Sequence, residues 1–341
     1  MPFKIYLDPK DVNDATSFYI AIIREAIDAL GQKCPITHNL SEVMPEDIVV
    51  TVKVTSVYRL LRQNKKQHIV LWIQGVQPEE MLCSNTPFPK KMVLYTILRY
   101  LEWLSLRKTK GVIFVSDEMQ KHYKCKYHWK GAKWFIMPCF NILLEEKYFS
   151  YPHKYDSLSF VYAGSLDRWQ CFEDILQTFK AVQAKEPTAS LMVLTKDAQA
   201  VHDKCQIYGL DNVSTKYVPK ELVGEELSKY KFGFILRDNI VVNRVATPTK
   251  INSYMASGVV PVISTCLVDF KSKNKGLENI VWIDDLKDYE RNASRIIDFH
   301  YNSTKNPEQM LADYRQVFRS YYSRISYISN LVNFFKSIEC E

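Results

Sequence analysis

The stretch RVATPTKINSYMASGVVPVIST, Arg244–Thr265, decides how this chain is read. Pro248 suits the first position of a helix, Thr247 before it offers a capping oxygen, and Gly258 is a stop. The apolar run Val259–Ser264 beyond it reads as a short buried strand. A helix start carries N–H groups without intrahelical partners and a partial positive charge, which suits phosphate. Thr249 and Lys250 add a hydroxyl and an ammonium at the same place. A plain loop–helix–strand unit would carry the same pattern.

Outward from this stretch, β-type runs alternate with helical patterns, which predicts α/β architecture with parallel sheets. In the first half, strands are expected at Lys4–Leu7, Asp47–Val54, His68–Ile73, Gly111–Val115 and Trp134–Pro138. Helices are expected over 14–30, stopping at Gly31, over Val57–Asn64, over Pro89–Lys108 and from Glu118. The Pro89–Lys108 segment mixes Leu, Tyr and Trp with Lys and Arg. Its broad apolar face reads as a partly buried core helix, the alternative being a helix lying on a membrane surface. Residues 145–158 have no clean period and read as a linker between domains 1–150 and 155–319. The second half restarts with strands Ser159–Tyr162, Ser190–Thr195, Val213–Tyr217 and Phe232–Leu236, with helices between them. Lys271–Gly276 is polar and reads as a loop. Residues 307–337 read as one or two long helices.

Several strand ends carry polar residues, where ligands of open α/β sheets bind. Gly164-Ser165 with Arg168 follows one strand, Thr195-Lys196-Asp197 the next, and Tyr217-Val218-Pro219 the third. In the first half Gln74-Gly75, with Glu79-Glu80, and Ser116-Asp117 occupy the same kind of position. Ser116 equally reads as a helix N-cap.

The matching residues Pro248, Thr249, Lys250, Tyr254, Ala256, Gly258, Pro261, Val262 and Ile263 resemble the donor-binding core of family-4-like glycosyltransferases of the GT-B fold. Val70–Glu80, VLWIQGVQPEE, and Phe160–Gln170, FVYAGSLDRWQ, resemble that family in the right order, with Glu102 and Ser116-Asp117 between them. The resemblance implies two Rossmann-like, doubly wound parallel-sheet domains facing a cleft, the first binding acceptor, the second a nucleotide-sugar donor, and a last helix, 320–341, crossing back onto the first domain. It assigns Gly164, Ser165, Arg168, Lys196, Tyr217, Val218, Thr247, Pro248, Thr249, Lys250 and Ser253 to the donor, a UDP-sugar rather than a GDP-sugar. Gln74, Gly75, Glu79, Ser116 and Asp117 go to the acceptor. The implied activity is metal-independent, retaining transfer to a glycan or lipid-linked acceptor, as in bacterial polysaccharide biosynthesis, with no cofactor.

The sequence departs from the family at one pair of positions. Many members carry two Glu on the Lys250 helix, the first near the transferred sugar and the second on the donor ribose. Val245 and Ser253 stand there. Arg237 and Asp238, after the strand Phe232–Leu236, are the nearest charged substitutes and, with Lys250, the candidate catalytic residues. The substitution keeps open a catalytically silent GT-B subunit that binds a sugar nucleotide. A non-hydrolysing sugar-nucleotide epimerase is the other alternative.

Composition bounds the rest. The chain has 341 residues, 47% hydrophobic and 24% charged, enough for two cores. Eight scattered cysteines without a C-x-x-C pair fit free thiols in a reducing compartment. There is no long apolar h-region at the start and no membrane-length apolar run, so a cytoplasmic protein is expected, at most peripheral on the inner face of the membrane. Net charge is +7, of which residues 1–150 hold +6, from 21 Lys and Arg against 15 Asp and Glu. That excess suits an anionic partner, a phosphorylated lipid, a membrane surface or a nucleic acid, or is a solvated basic surface; with the resemblance, peripheral contact with an anionic membrane and no nucleic acid are expected. Ten glycines and no G-x-G argue against a dinucleotide-dependent oxidoreductase, and G-x-x-x-x-G-K is absent.

Overall fold

The computed structural model describes residues 1–11, 14–131, 133–302 and 306–339. Cys340 lies outside them; the other seven cysteines are free thiols. The chain divides into two compact units. The first holds Met1–Asn141, Val245–Thr247 and Ser323–Glu341, the second Ile142–Arg244 and Pro248–Tyr322.

The first unit runs β1 Phe3–Tyr6, α1 Asp14–Asp28, β2 Ile36–Thr37, β3 Ile48–Thr51, α2 Val54–Gln63, β4 His68–Ile73, α3 Gln77–Cys83, α4 Phe88–Lys108, β5 Gly111–Phe114, α5 Asp117–Tyr127 and β6 Trp134–Ile136. Its six strands are parallel in the order β2-β1-β3-β4-β5-β6. Strands β3 to β5 are almost wholly apolar and buried, as strands covered on both faces must be.

The second unit runs β7 Ser159–Ala163, α6 Phe172–Lys185, β8 Ser190–Leu194, α7 Ala198–Tyr208, β9 Val213–Lys216, α8 Val223–Leu227, β10 Phe232–Ile235, α9 Val241–Arg244, α10 Thr249–Ala256, β11 Val260–Ser264, α11 Val268–Lys273, β12 Val281–Ile283, α12 Tyr289–Asn302 and α13 Pro307–Ser320. Its sheet is again six parallel strands, ordered β12-β11-β10-β7-β8-β9. Phe160 stacks on Phe232 and Phe234, with centroids 5.2 and 5.1 Å away, and fixes the switch from β10 to β7. The last helix, α14 Arg324–Glu339, belongs to the first unit. There Phe335 meets Phe3 edge-on at 5.3 Å.

Two expectations are corrected. Residues 145–158 do not form a free linker: the units divide after Asn141, and Phe149, Lys154 and Tyr155 are buried in the second. The Lys154 ammonium donates to the Ser257 carbonyl at 2.6 Å. Lys271–Gly276 is not wholly loop, because α11 runs through Lys273, anchored by buried Phe270 edge-on to Tyr321. The segment after Gly75, for which no element was expected, forms helix α3, where Pro78 sits in the first turn and suits a helix start. Helix α4 is partly buried, as expected, through Leu101, Glu102, Ser105 and Leu106, and its opposite side is exposed.

Candidate functional site

In the second unit a hollow of about 460 Å³ opens at the carboxyl ends of β7, β8 and β9, against α10. Gly164, Ser165, Lys196, Tyr217, Val218, Thr249, Lys250 and Ser253 line it, so one place collects eight of the eleven candidate donor residues. Leu194, Val223 and Leu227 supply an apolar wall. These three were not foreseen; a strand end and a five-residue helix give no local signal of a shared wall.

Lys250 is the centre of the arrangement. Its Nζ donates to Gln170 Oε1 at 2.6 Å and to the Tyr162 hydroxyl at 3.1 Å, and it lies 4.2 Å from the Tyr162 ring centroid. All these partners are neutral. Burial pushes the ammonium well below its ordinary pKa, and repulsion from Arg237 adds to the effect. Gly164 makes the approach possible. It holds φ +143°, and a Cβ there would come within 2.8 Å of the ammonium. Arg237 is also buried and donates to the Trp169 carbonyl at 2.8 Å; desolvation lowers its pKa. Among the described residues neither cation has a carboxylate within ion-pairing distance. Arg237 is buried and Lys250 half-buried, and the attraction of Asp167 only partly offsets the cost at Lys250, so an anion bound here would complete the pair.

The local reading of the helix start is corrected. Pro248, not Thr247, is the N-cap of α10, and no side chain caps it. The Thr247 hydroxyl instead accepts from the Cys139 amide at 2.9 Å, within the first unit. The first-turn N–H groups of an eight-residue helix are therefore left uncapped, which preserves their donor character. Gly164 N–H is not free for a ligand, since it donates to the Leu194 carbonyl at 3.0 Å. Tyr254, on the same helix, accepts from the Ala163 amide at 3.0 Å. It packs where a Cβ on Gly233 would stand only 2.4 Å from its ring, so that glycine seats α10 on β10.

Arg168, Thr247 and Pro248 do not line the hollow, and Arg168 is exposed. Asp238 is exposed too; its amide donates to Cys171 Sγ at 3.3 Å and its carbonyl accepts from Asn243. Ser253 Oγ donates to the Thr249 carbonyl of its own helix at 3.1 Å.

In the first unit the candidate acceptor residues separate. Gln74 and Gly75 line a hollow of about 250 Å³ with Lys53, Glu80, Glu102 and Tyr123. Glu79 faces elsewhere, bonded to Lys126 at 2.8 Å and His122 at 3.3 Å. Ser116 caps α5: its Oγ accepts from Met119 N–H at 2.9 Å and donates to the Val245 carbonyl at 2.6 Å. Asp117 opens the helix that Ser116 caps. Burial raises the carboxyl pKa of Glu80 and Glu102. Glu102 is closed in by Tyr123, Tyr127 and Lys126 at 2.6, 2.6 and 3.1 Å.

No protein-family model and no curated protein matches the chain. Solved structures do. Sucrose-phosphate synthase from Thermosynechococcus elongatus superposes with TM-score 0.71 over the whole of both chains at 14% identity. The lipopolysaccharide outer core galactosyltransferase WaaB gives 0.65 at 10% identity, covering 99% of each chain. TarM from S. aureus, solved with UDP bound, gives 0.60 at 12% identity over 84% of this chain. This chain spans 55% of that protein's length. The likeness establishes the GT-B fold: α/β, two parallel sheets with flanking helices.

Proposed function

We propose that this chain is a glycosyltransferase that moves a sugar from a nucleotide-diphosphate sugar, UDP-linked rather than GDP-linked, to a glycan or lipid-linked acceptor. The observation that carries the reading is Lys250, half-buried and without a carboxylate ion pair, lining a hollow at the carboxyl ends of three parallel strands, with the buried Arg237 guanidinium close enough to repel it. A diphosphate would supply the missing charge. UDP in the TarM structure supports the choice of nucleotide.

The chemistry follows from where charge develops. As the glycosidic bond breaks, the leaving diphosphate gathers negative charge. Preorganised donors that meet it lower the barrier. The Lys250 ammonium and the uncapped N–H groups at Thr249 and Lys250 are such donors, with the Arg237 guanidinium adding positive potential. They do the work that a divalent ion does in sites built on an Asp-x-Asp pair, which this sequence lacks. The proposed reaction is therefore metal-independent. It is also retaining: the departing phosphate accepts the acceptor's proton on the face it leaves, and no protein base is required.

Calorimetry with UDP and GDP on the intact chain tests the site, and release of free nucleotide from a donor panel tests transfer. UDP binding abolished by EDTA would overturn the metal-free site. One observation favours a second reading. Ser253, where a ribose-binding Glu is expected, spends its hydroxyl on its own helix. A silent GT-B subunit would bind UDP-sugar tightly and release no nucleotide with any acceptor.

A further inference from the structure

Helix α4, Phe88–Lys108, spans roughly 30 Å and is apolar on both sides. One side is accounted for: Leu101 and Leu106 are buried where α4 packs on α2 and α3. The opposite side is not. Phe88 is 75% exposed, Val93 59%, Tyr100 55% and Ile97 48%, with Met92 and Trp103 on the same stripe. A helix that is apolar all round belongs in a core or against a membrane, and the protein covers only half of this one.

The charges on the uncovered side point one way. Lys90, Arg99, Arg107 and Lys108 are exposed along it. The only acid of the helix, Glu102, is buried and held by Tyr123, Tyr127 and Lys126. Arg107 lies 4.7 Å over the Trp103 ring, and Trp103 stacks on Tyr100. A hollow of about 620 Å³ beside them is lined by Arg99, Lys126 and His128. Aliphatic residues that can enter hydrocarbon, an aromatic pair suited to the interface, and cations without exposed acids are the parts of an in-plane membrane helix. Four exposed cations on one face also disfavour a second copy of the same face. We propose that α4 docks the first unit on an anionic bilayer, with the Met92–Trp103 stripe in the headgroup boundary and Arg99 and Arg107 on lipid phosphates. The inference is independent of the donor reading.

Cosedimentation of the full chain with phosphatidylcholine vesicles, and with phosphatidylcholine–phosphatidylglycerol vesicles, tests it. Binding is expected on the anionic vesicles, weak on the neutral ones, and falling with salt as charges are screened. Ile97→Glu/Trp103→Glu and, separately, Arg99→Gln/Arg107→Gln should each lower partitioning about tenfold or more. All four side chains are exposed, so thermal unfolding should match wild type, which shows that the variants are folded. Equal partitioning of wild type and both variants would overturn the proposal. So would a lipid-free dimer that Ile97→Glu/Trp103→Glu dissociates, or single-stranded RNA bound more tightly than the anionic vesicles.

Discussion

Two hollows sit at strand ends of two similar six-stranded parallel sheets, yet their electrostatics are opposite. In the first unit Glu102, at the hollow, is closed in by Lys126 and two tyrosines, and Glu79, which faces away from it, meets His122 and Lys126. In the second, half-buried Lys250 and buried Arg237 hydrogen-bond neutral partners only, with Asp167 acting on Lys250 from beyond ion-pairing distance. A closed network stabilises or specifies a core and asks nothing of a ligand. An open pair of cations is paid for only by an anion. The same architecture thus separates a self-sufficient polar core from a site that is incomplete without its ligand.

Breaking the open pair should have the largest effect. Lys250→Ala is expected to weaken UDP binding by about 1.5–3 kcal/mol, the range for hydrogen bonds to charged groups, in calorimetry. An unchanged dissociation constant would remove the cation argument. Gly164→Ala, which places a methyl against the Lys250 ammonium at an unfavourable φ, should lower UDP affinity too, with about 1–3 kcal/mol of strain to share between binding and stability. Asp238→Asn should reduce turnover about tenfold, or about 1.4 kcal/mol, if this exposed carboxylate replaces the absent Glu near the sugar. Ser253→Ala should change donor affinity by less than about 1 kcal/mol, because its hydroxyl already bonds the helix. Normal turnover in Asp238→Asn with an inactive Ser253→Ala would reverse those two roles.

The comparison is sharpened by pH at Glu80, which lines the first-unit hollow outside that network. Burial raises the Glu80 pKa above its ordinary value of 4.5, so the folded state holds the proton more tightly than the unfolded one. Its contribution is therefore favourable at low pH and is lost as pH rises from about 4.5 through the folded-state value. Glu226 in the second unit is the reverse. Burial opposes its charge, but hydrogen bonds from Lys216, Lys229 and Tyr230 outweigh that and take its pKa down to about 2. Its contribution is present above the ordinary carboxylate value and lost as pH falls toward 2. Glu80→Gln should gain stability relative to wild type as pH rises past about 4.5, whereas Glu226→Gln should be less stable than wild type above about 4.5 and the gap should close as pH falls from there toward 2, in parallel thermal melts. Parallel curves for all three proteins would contradict both assignments.

The strands were legible because doubly covered parallel strands are short apolar runs, and β3, β4, β10 and β11 all read that way. β2, two residues long, has no period to read. Lys250 was legible from its place after Pro248-Thr249. Tyr162 and Gln170 lie in the Phe160–Gln170 stretch that resembles the family, but nothing local marks them as partners of a lysine 88 and 80 residues away. Thr247 was misread because capping propensity is local, whereas the Cys139 amide that takes its hydroxyl comes from 108 residues earlier. For α4, a pattern apolar on two sides shows that both want cover without showing which side the chain itself provides.

The seating of α14 has a consequence for how the chain is made. Phe334 and Ile338 pack on β5, where a Cβ on Gly111 would stand 2.7–2.8 Å from them, and Leu331 and Phe335 are wholly buried in the same unit. The first unit therefore cannot close its core until a segment nearly two hundred residues downstream of β6 has left the ribosome. During synthesis the sheet made first waits half-covered while the second unit is being completed. Such a wait exposes apolar surface to aggregation. A nascent chain stopped just before Ser323 would thus be more open to proteolysis in its early half than in its late half.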